Sequence, residues 1–340
     1  MGPQWRNYAG DERMQFVKEL GLPRLSRASF KLKSGLAKRI AAIHAVCQSS
    51  QGPSIALISL ATTYHSTTLA NSNKTLDEVG PWNVASIIDP TKMALLLETR
   101  PSNLLVPLIL HFAAVIPPEW KFRFMGSEGS VAFIRSVPTM KRMIDSGKLE
   151  TQFLPTNVTT KSQEALSVFF TDSWTYSKLL RPSEVFLLYQ NDAIICANSE
   201  RNVNEFTEYP WVGAPWGFLD YGGNGGLSIR NRSALEYVTT VDSRTPGIPE
   251  MEDLWLSLKL KEYNISNMAP KSVAMQFASE SLYSHHPLGY HTGGSGVHLA
   301  RAIWGNPTIR RELYEWCPEI KMIVDMDAND YLPGNCSHEW

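Results

Sequence analysis

The residues best suited to chemistry begin where an apolar run, residues 185–189, ends in Gln190-Asn191-Asp192. In an extended strand, residues two apart point to the same side, so Gln190 and Asp192 would project together from the strand end. A carboxylate with an amide beside it suits a hard divalent cation that phosphate oxygens also hold. The alternative is that Asp192 only caps the following turn.

A glycine cluster follows, in which four glycines at 222, 223, 225 and 226 surround Asn224. Glycine permits positive φ and lets a backbone approach a ligand closely, so Asn224 could hydrogen-bond a sugar hydroxyl. The alternative is a tight hairpin turn, but four glycines in five positions exceed what a turn requires. The cluster is not a GxGxxG dinucleotide motif, because a loop precedes it and no acidic residue follows at the ribose spacing.

Two further sets of residues carry candidate chemistry. Glu252 and Asp253 open a predicted helix, where the helix dipole alone favours carboxylates. The functional interpretation makes one of them a general base for an acceptor hydroxyl. Later, His285, His286 and His291 lie beside glycines, and three histidines after a candidate metal carboxylate indicate a ligand more strongly than a lone, usually structural, histidine.

Strands and helices alternate in the part of the chain that positions these residues. The pattern predicts strands at 92–100, 150–156 and 184–190, a strand followed by a loop at 120–130, and helices at 102–116, 131–147 and 164–180. Ser102 is a candidate helix cap, and Pro107 strains the first turns of the same helix. The alternation predicts an α/β fold with a mainly parallel, Rossmann-like sheet flanked by helices. Ligands of such sheets bind beyond the carboxyl ends of the strands, where Asp192 lies.

The domain boundary is predicted near residue 91. Residues 1–90 are interpreted as an N-terminal extension with an accessory strand at 54–64, and residues 91–340 as a single catalytic domain with a C-terminal helical tail. Residues 24–40 interleave basic and apolar side chains. This pattern fits peripheral contact with a membrane surface, although a solvated helix packed on the domain is the favoured interpretation.

The composition excludes several classes of protein. A net charge of −1 over 340 residues gives no general attraction to nucleic acid. The sequence contains neither an apolar run long enough to span a membrane nor a signal-peptide core, so the expected location is the cytoplasm, or the Golgi lumen if an anchor precedes residue 1.

If the protein is in the Golgi lumen, Cys317 and Cys336 are a candidate disulfide. Cys196 is interpreted as a small buried hydrophobe, and the lack of CxxC spacing argues against a cysteine-based zinc site.

Taken in order, these motifs resemble a mostly fungal domain family of unknown function that is classed as glycosyltransferase-like, and more broadly the GT-A-fold glycosyltransferases. The resemblance covers roughly residues 92–295. The matching motifs are Gln190-x-Asp192, Val212-Gly-Ala-Pro-Trp216, Gly223-Asn-Gly-Gly-Leu-Ser-Ile-Arg230, Glu252-Asp253, Phe277-x-x-Glu280 and Gly289-x-His291, together with Glu98-Thr99-Arg100 at the end of the first strand.

The resemblance implies a nucleotide-sugar donor, an acceptor hydroxyl of unknown identity, Mn²⁺ or Mg²⁺, and inversion at the anomeric carbon, with retention left open. It implies that Asp192 and His291 hold the metal and that Asp253, or else Glu252, is the base. Further roles follow for residues around them: nucleotide binding by Glu98, Thr99, Arg100, Gln190 and Asn191, and contact with donor sugar or acceptor by Trp216, Asn224, Gly225 and Gly226.

One position departs from the GT-A pattern. Gln190 stands where the first acid of the DxD motif usually lies, which removes a negative charge from the metal site. Two alternatives therefore stay open: an inactive module that binds a sugar or nucleotide, and a metal-dependent hydrolase or nucleotidyltransferase. Trp211 is interpreted either as a cover for the donor or as a core residue.

Overall fold

The structure is a computed structural model, and it describes residues 87–324 apart from Ser266 and His298. The N-terminal extension, its basic segment at 24–40 and the strand predicted at 54–64 lie outside the described residues, as does Cys336. The domain boundary near residue 91 therefore stays a prediction. The first described strand begins at Asp89.

Nine strands and nine α-helices form the described part of the chain. The strands are β1 Asp89–Leu97, β2 Trp120–Gly126, β3 Leu149–Phe153, β4 Val185–Tyr189, β5 Ala193–Ile195, β6 Trp211–Ala214, β7 Asn224–Asn231, β8 Ala278–Ser279 and β9 Gly289–His291. The helices are α1 Leu105–Val115, α2 Glu128–Ser136, α3 Pro138–Asp145, α4 Gln163–Phe170, α5 Arg232–Val241, α6 Glu252–Glu262, α7 Lys271–Phe277, α8 Arg301–Trp304 and α9 Pro307–Trp316.

The main sheet has six strands in the order β3-β2-β1-β4-β7-β6. The first four strands run parallel, and β7 and β6 add antiparallel pairs at one side. This arrangement confirms the predicted α/β class with a mainly parallel sheet flanked by helices. It also brings the carboxyl ends of β1 and β4 together with the start of β7 at one edge of the sheet.

The central strands are apolar throughout because both faces of the sheet are covered. In β1, Ala94 and Leu96 join one hydrophobic core, whereas Met93, Leu95 and Leu97 join a second core on the opposite face. The same alternation continues in β4. A continuous apolar run is therefore required here, and its end at Tyr189 marks the point where the chain leaves the core.

Several predicted boundaries differ from the observed ones. The strand predicted at 184–190 ends at Tyr189, and the next three residues form a turn, so the argument that Gln190 and Asp192 project together along a strand was wrong. Helix α1 begins after Leu104, and Ser102 accepts a hydrogen bond from the Leu104 backbone at 3.2 Å without being its N-cap. Pro107 lies in the first turn, where its missing N–H costs no helical hydrogen bond.

A second sheet, of three short strands in the order β5-β9-β8, carries the remaining chemistry. Strand β5 pairs antiparallel with β9, and β8 pairs parallel with β9. As a result, the residue before β5, the last residue of β9 and the residue after β8 all lie at one edge of this small sheet. These residues are Asp192, His291 and Glu280.

The cysteine predictions require a correction. Cys196 forms a disulfide with Cys317, their Cα atoms being 4.9 Å apart, so Cys196 is not an unpaired buried hydrophobe and Cys317 is not the partner of Cys336. The bond joins the end of β5 to the end of α9, 121 residues later. Sequence spacing could not reveal this pair, because only the fold brings the two cysteines together.

Among the described residues, no helix combines the length and the apolar composition that crossing a bilayer requires.

Candidate active site

The register of the main sheet places two predicted segments side by side. Leu96 of β1 lies opposite Tyr189 of β4, so the residues that follow each strand, 98–100 and 190–192, emerge next to each other. The backbone N–H of Gln190 donates to the carbonyl of Gly226 at 2.8 Å, which ties the start of β7 to the same edge. Gln190 and Asn191 are half-buried there, and Asp192 is buried.

Asp192, His291 and Glu280 form a buried line of three side chains. The small sheet aligns them, and Thr292 fixes the alignment by donating its backbone N–H to the Asp192 carbonyl at 2.9 Å. His291 Nε2 lies 3.2 Å from Asp192 Oδ1, and His291 Nδ1 lies 3.0 Å from Glu280 Oε1. His291 is only 6% exposed, so its ring has little contact with water.

The electrostatics of this line favour a positive charge at His291. Burial alone would lower the pKa of the imidazole, but the carboxylates of Asp192 and Glu280 outweigh burial and raise the pKa above its ordinary value. Either a proton or a metal ion at Nε2 would offset negative charge on the two carboxylates.

The donor set fits a divalent cation. The buried Nε2 of His291 makes no well-aligned hydrogen bond with any described residue, although Asp192 Oδ1 is close. Two ligand atoms held at right angles, about 2.1 Å from an octahedral ion, lie about 3.0 Å apart, close to the observed separation. Glu280 can hold the Nδ1 proton and so leave the Nε2 lone pair for a metal, as carboxylates commonly do behind ligating histidines. Glu280 appeared in the sequence only as part of a motif, and its role was missed.

The two consecutive glycines of β7 make room for this site. A Cβ on Gly226 would lie 2.2 Å from His291 Nε2. A Cβ on Gly225 would lie 2.5 Å from the Arg230 guanidinium and 2.7 Å from Glu252 Oε1. Successive strand residues face opposite sides. The glycines therefore let His291 approach the start of β7 from one side and the acidic pair of α6 approach it from the other.

Asp253 and Glu252 have different surroundings. Asp253 Oδ2 accepts a hydrogen bond from the Gly225 N–H at 2.9 Å, and its Oδ1 accepts one from Leu254 at 2.8 Å. Burial, reinforced by the neighbouring charge of Glu252, raises the pKa of Asp253 to about 7. Glu252 instead pairs with Arg230 at 3.2 Å. Asp253 thus has the properties of a proton acceptor near neutral pH, whereas Glu252 is anchored.

Arg230 organises the acidic pair and was not predicted from the sequence. Its side chain is fully buried and stacks over the Trp211 ring at 4.1 Å. It donates to the Gly225 carbonyl at 3.0 Å as well as to Glu252. Trp211 is fully buried and donates its indole N–H to Gly223 at 2.9 Å, so the idea that it covers a donor was wrong and the core interpretation holds.

Glu98, Thr99 and Arg100 form a network at the end of β1. The Glu98 carboxylate is 2% exposed and accepts hydrogen bonds from the Arg100 backbone, the Arg100 guanidinium and Thr160. Burial opposes the charge of Glu98, but these hydrogen bonds hold its pKa below the ordinary value. Thr99 shares a hydrogen bond of 2.9 Å with Thr160. Arg100, with a side chain 39% exposed, is the member of the network that can reach a ligand.

The half-buried Trp216 and the exposed Phe218 form an aromatic pair. Trp216 stacks on Phe218, which is 70% exposed, with ring centroids 5.7 Å apart. A Cβ on Gly222 would lie 2.7 Å from Ser257 Oγ and 3.3 Å from the Trp216 ring, so this ring lies near Ser257. Ser257 follows Asp253 by about one helical turn on α6.

Three residues predicted as site residues, Asn224, His285 and His286, contact other parts of the protein. The side-chain oxygen of Asn224 accepts a hydrogen bond from the Gly226 N–H at 2.7 Å, which leaves its amide nitrogen for a ligand. His285 and His286 face Glu312 of α9 rather than Asp192. The structure therefore brings His291, but not the other two histidines, to the predicted metal carboxylate.

Comparison with known proteins gives one family match. Residues 148–291, less than half of the chain, match a family model described as a protein of unknown function, DUF5672. This range includes Asp192, Asp253 and His291, and it agrees with the predicted resemblance to a domain family of unknown function. A fungal source stays a prediction. No curated protein matches the chain in sequence.

The solved structures to which this chain is similar include the following three proteins. The mannosyltransferase Ktr4p from S. cerevisiae in complex with GDP is 12% identical over 36% of this chain and 40% of that chain, with a TM-score of 0.26. Core-mannan synthase A from Aspergillus fumigatus in its Mn/GDP form is 9% identical over 50% and 69%, with a TM-score of 0.37. The mannosyltransferase PcManGT from Pyrobaculum calidifontis in complex with GDP-Man and Mn²⁺ is 11% identical over 65% and 61%, with a TM-score of 0.34. The chain thus spans less than two thirds of the S. cerevisiae and P. calidifontis proteins.

Proposed function

We propose that this chain is a metal-assisted glycosyltransferase that moves a sugar from a nucleoside-diphosphate donor to an acceptor hydroxyl with inversion. The supporting observation is that a pair of potential metal ligands and a carboxylate suited to act as a general base lie at the same edge of the sheet. Asp192 and His291 lie on one side of the consecutive glycines that start β7, and Asp253 lies on the other.

The nucleotide end of the donor is assigned to the ends of β1 and β4. The Arg100 side chain is 39% exposed, and its guanidinium donates to Glu98 through Nε and one terminal nitrogen, so the other terminal nitrogen would donate to a diphosphate. Glu98 and Thr99 hold Arg100 and its strand end in position, and the neighbouring Gln190 and Asn191 border the same edge. Arg100 also feels the charge of Asp192, which contributes to raising the pKa of Arg100 above its ordinary value after the larger effect of Glu98. The diphosphate would thus lie between Arg100 and the metal pair.

Asp192 and His291 would hold Mn²⁺ or Mg²⁺, with Glu280 orienting the imidazole. The bound ion would neutralise negative charge that develops on the leaving diphosphate. Because Gln190 is neutral, the chain supplies few charged ligands, and the diphosphate oxygens of the donor would complete the coordination.

Asp253 is assigned as the general base. It accepts the proton of the acceptor hydroxyl as that oxygen forms a bond to the anomeric carbon, while the bond from this carbon to the diphosphate oxygen breaks. The raised pKa of Asp253, about 7, suits such a proton transfer at neutral pH. Asn224, Gly225 and Gly226 would border the donor sugar, and the stacked pair Trp216–Phe218 would offer an aromatic face for the acceptor.

The glycine at position 226 provides a specific prediction. In Gly226→Ala, the added methyl group would overlap the His291 ring, so we expect Mn²⁺ affinity to fall by about 10- to 100-fold, the range for disturbed ligand orientation. Isothermal titration calorimetry with MnCl₂ measures the change. Gly129→Ala is the matched control, because its methyl group would meet nothing closer than 3.8 Å in helix α2. Equal Mn²⁺ affinity in Gly226→Ala and the native protein would contradict the site.

The proposed function is tested by release of UDP or GDP from a panel of nucleotide sugars, with and without Mn²⁺. Many glycosyltransferases hydrolyse their donor slowly, so no acceptor need be known. The proposal predicts Mn²⁺-stimulated release from one donor. Nucleotide binding without release from any donor would favour the inactive module, for which Gln190 is the supporting feature. Release of the nucleoside monophosphate instead would favour a hydrolase that cleaves the diphosphate.

A further inference from the structure

A second group of potential metal ligands lies on the surface, between the loop that joins β8 to β9 and the C-terminal helix α9. His285 and His286 belong to the loop, and Glu312 lies on α9. The two histidines are substantially exposed, and the Glu312 side chain is about one third exposed. We propose that His285, His286 and Glu312 bind a transition-metal ion of the Zn²⁺ class.

The ligand atoms converge on one point. Nδ1 of His285 is in contact with Glu312 Oε1, and Nε2 of His286 lies 3.9 Å from the same oxygen. All three atoms lie within 4.8 Å of one another. Ligand atoms on a tetrahedral Zn²⁺ at about 2.0–2.1 Å are about 3.3 Å apart, so side-chain shifts of an ångström or less would complete the geometry.

A simple ion pair explains this cluster less well. Glu312 Oε1 is buried beside the two imidazoles, and the Glu312 carboxylate also accepts a hydrogen bond from Tyr283. A salt bridge between His285 and Glu312 would account for one imidazole only. It would leave unexplained why Nε2 of His286 is directed toward the same carboxylate oxygen.

The neighbouring residues hold the ligands in place. The His286 ring is stacked between the His285 ring, at 3.8 Å, and the Trp316 ring, at 4.1 Å. Trp316 lies one helical turn after Glu312 and donates its indole N–H to the Pro287 carbonyl at 3.0 Å. The disulfide at Cys317 anchors the end of the same helix. An ion would therefore meet ligands that are already largely ordered.

The donor types distinguish this cluster from the buried pair at the sheet edge. Two imidazoles and one carboxylate suit Zn²⁺, which commonly leaves a fourth position for water, whereas oxygen-rich sites suit Mg²⁺ and Mn²⁺. The loop that carries His285 and His286 connects Glu280 to His291. A bound ion would fasten this loop to α9 and thereby restrain both of those residues.

The test is titration of the metal-free protein with ZnCl₂ by calorimetry, with thermal unfolding measured in parallel. We expect Zn²⁺ to bind with a rise in melting temperature in the native protein and in Asp192→Asn, and the affinity of this binding to fall by more than about tenfold in His286→Gln and in Glu312→Gln. Asp192→Asn is the matched control and should retain this Zn²⁺ binding. His285→Gln, at an exposed position, provides a third variant if Glu312→Gln unfolds.

Absence of Zn²⁺ binding would overturn the proposal, as would equal binding in the native protein and in His286→Gln. Zn²⁺ binding lost only in Asp192→Asn would also overturn it, because the ion would then occupy the sheet-edge site. The proposed transferase function does not depend on any of these outcomes.

Discussion

Replacing Asp253 by Asn is expected to lower sugar transfer by about 10³-fold, within the range that general-base catalysis contributes. The substitution keeps the shape of the side chain but removes its ability to take a proton. Binding of the nucleotide should persist, since the metal pair and Arg100 are unchanged. Initial rates of transfer or of donor hydrolysis, together with nucleotide affinity, measure the two effects separately.

The pH dependence of the native protein provides a second observable for the same residue. Because Asp253 is active as the carboxylate and its pKa is about 7, kcat/KM should fall as pH decreases through about 7 and level off above it. Residual activity of Asp253→Asn should lack this acid limb. Glu252→Gln is the matched comparison, since Glu252 is the alternative base. An acid limb that persists in Asp253→Asn and disappears in Glu252→Gln would reverse the assignment.

The pH dependence of the stability of Asp253→Asn tests whether folding raises the pKa of Asp253. The pKa of Asp253 rises from 3.8 to about 7 on folding, so the folded state binds this proton more tightly than the unfolded chain. The free energy of unfolding of the native protein therefore decreases as pH rises from about 4 to 7. The Asp253→Asn variant lacks this decrease, because Asn does not titrate. The free energy of unfolding of the variant, relative to native, should increase across this window. If this difference in the free energy of unfolding does not change with pH, then folding does not raise the pKa of Asp253.

Asp192→Asn is expected to weaken Mn²⁺ binding by at least about tenfold and to abolish Mn²⁺ stimulation of donor cleavage. The substitution removes one of two carboxylates that draw a positive charge onto His291, and it exchanges a strong oxygen ligand for a weak one. Calorimetry with MnCl₂ in the presence of a nucleoside diphosphate measures the loss.

A double-mutant cycle makes this prediction sharper. If Asp192 and His291 hold the same ion, then Asp192→Asn combined with His291→Gln should cost much less than the sum of the two single losses. Additive losses would show that the two side chains act independently, and the shared metal site would be wrong. The Thr292 hydroxyl donates a hydrogen bond to the Asp192 carbonyl at 3.1 Å. Thr292→Val therefore tests whether Mn²⁺ binding weakens when this hydrogen bond is lost and the two metal ligands are unchanged.

The extent to which the site could be predicted depended on how locally its residues are encoded. The apolar run that ends before Gln190 identified the sheet edge, because burial on both faces leaves a clear pattern in sequence. Asp192, His291 and Asp253 were proposed as site residues from the ordered motifs and the resemblance that these motifs carry, and their roles stay predictions. The sequence predicted that Gly225 and Gly226 contact a ligand. In the structure these glycines also make room for His291 and for the acidic pair of α6.

Other features were not visible because they depend on contacts between distant segments. The small sheet consists of strands of two or three residues, too short for a periodic pattern, yet its register aligns Glu280 with His291. Arg230 resembles an ordinary strand residue in sequence, and only the fold buries it against Trp211 and Glu252. The Cys196–Cys317 disulfide joins positions 121 residues apart.

The proposed metal site is tested most directly by a crystal structure of the protein with Mn²⁺ and the nucleoside diphosphate it binds best, using anomalous scattering to locate the manganese. We predict one strong peak within bonding distance of His291 Nε2 and an Asp192 carboxylate oxygen, with the diphosphate on the same ion and facing Arg100. A diphosphate bound without manganese at this pair, or manganese bound only elsewhere, would contradict it.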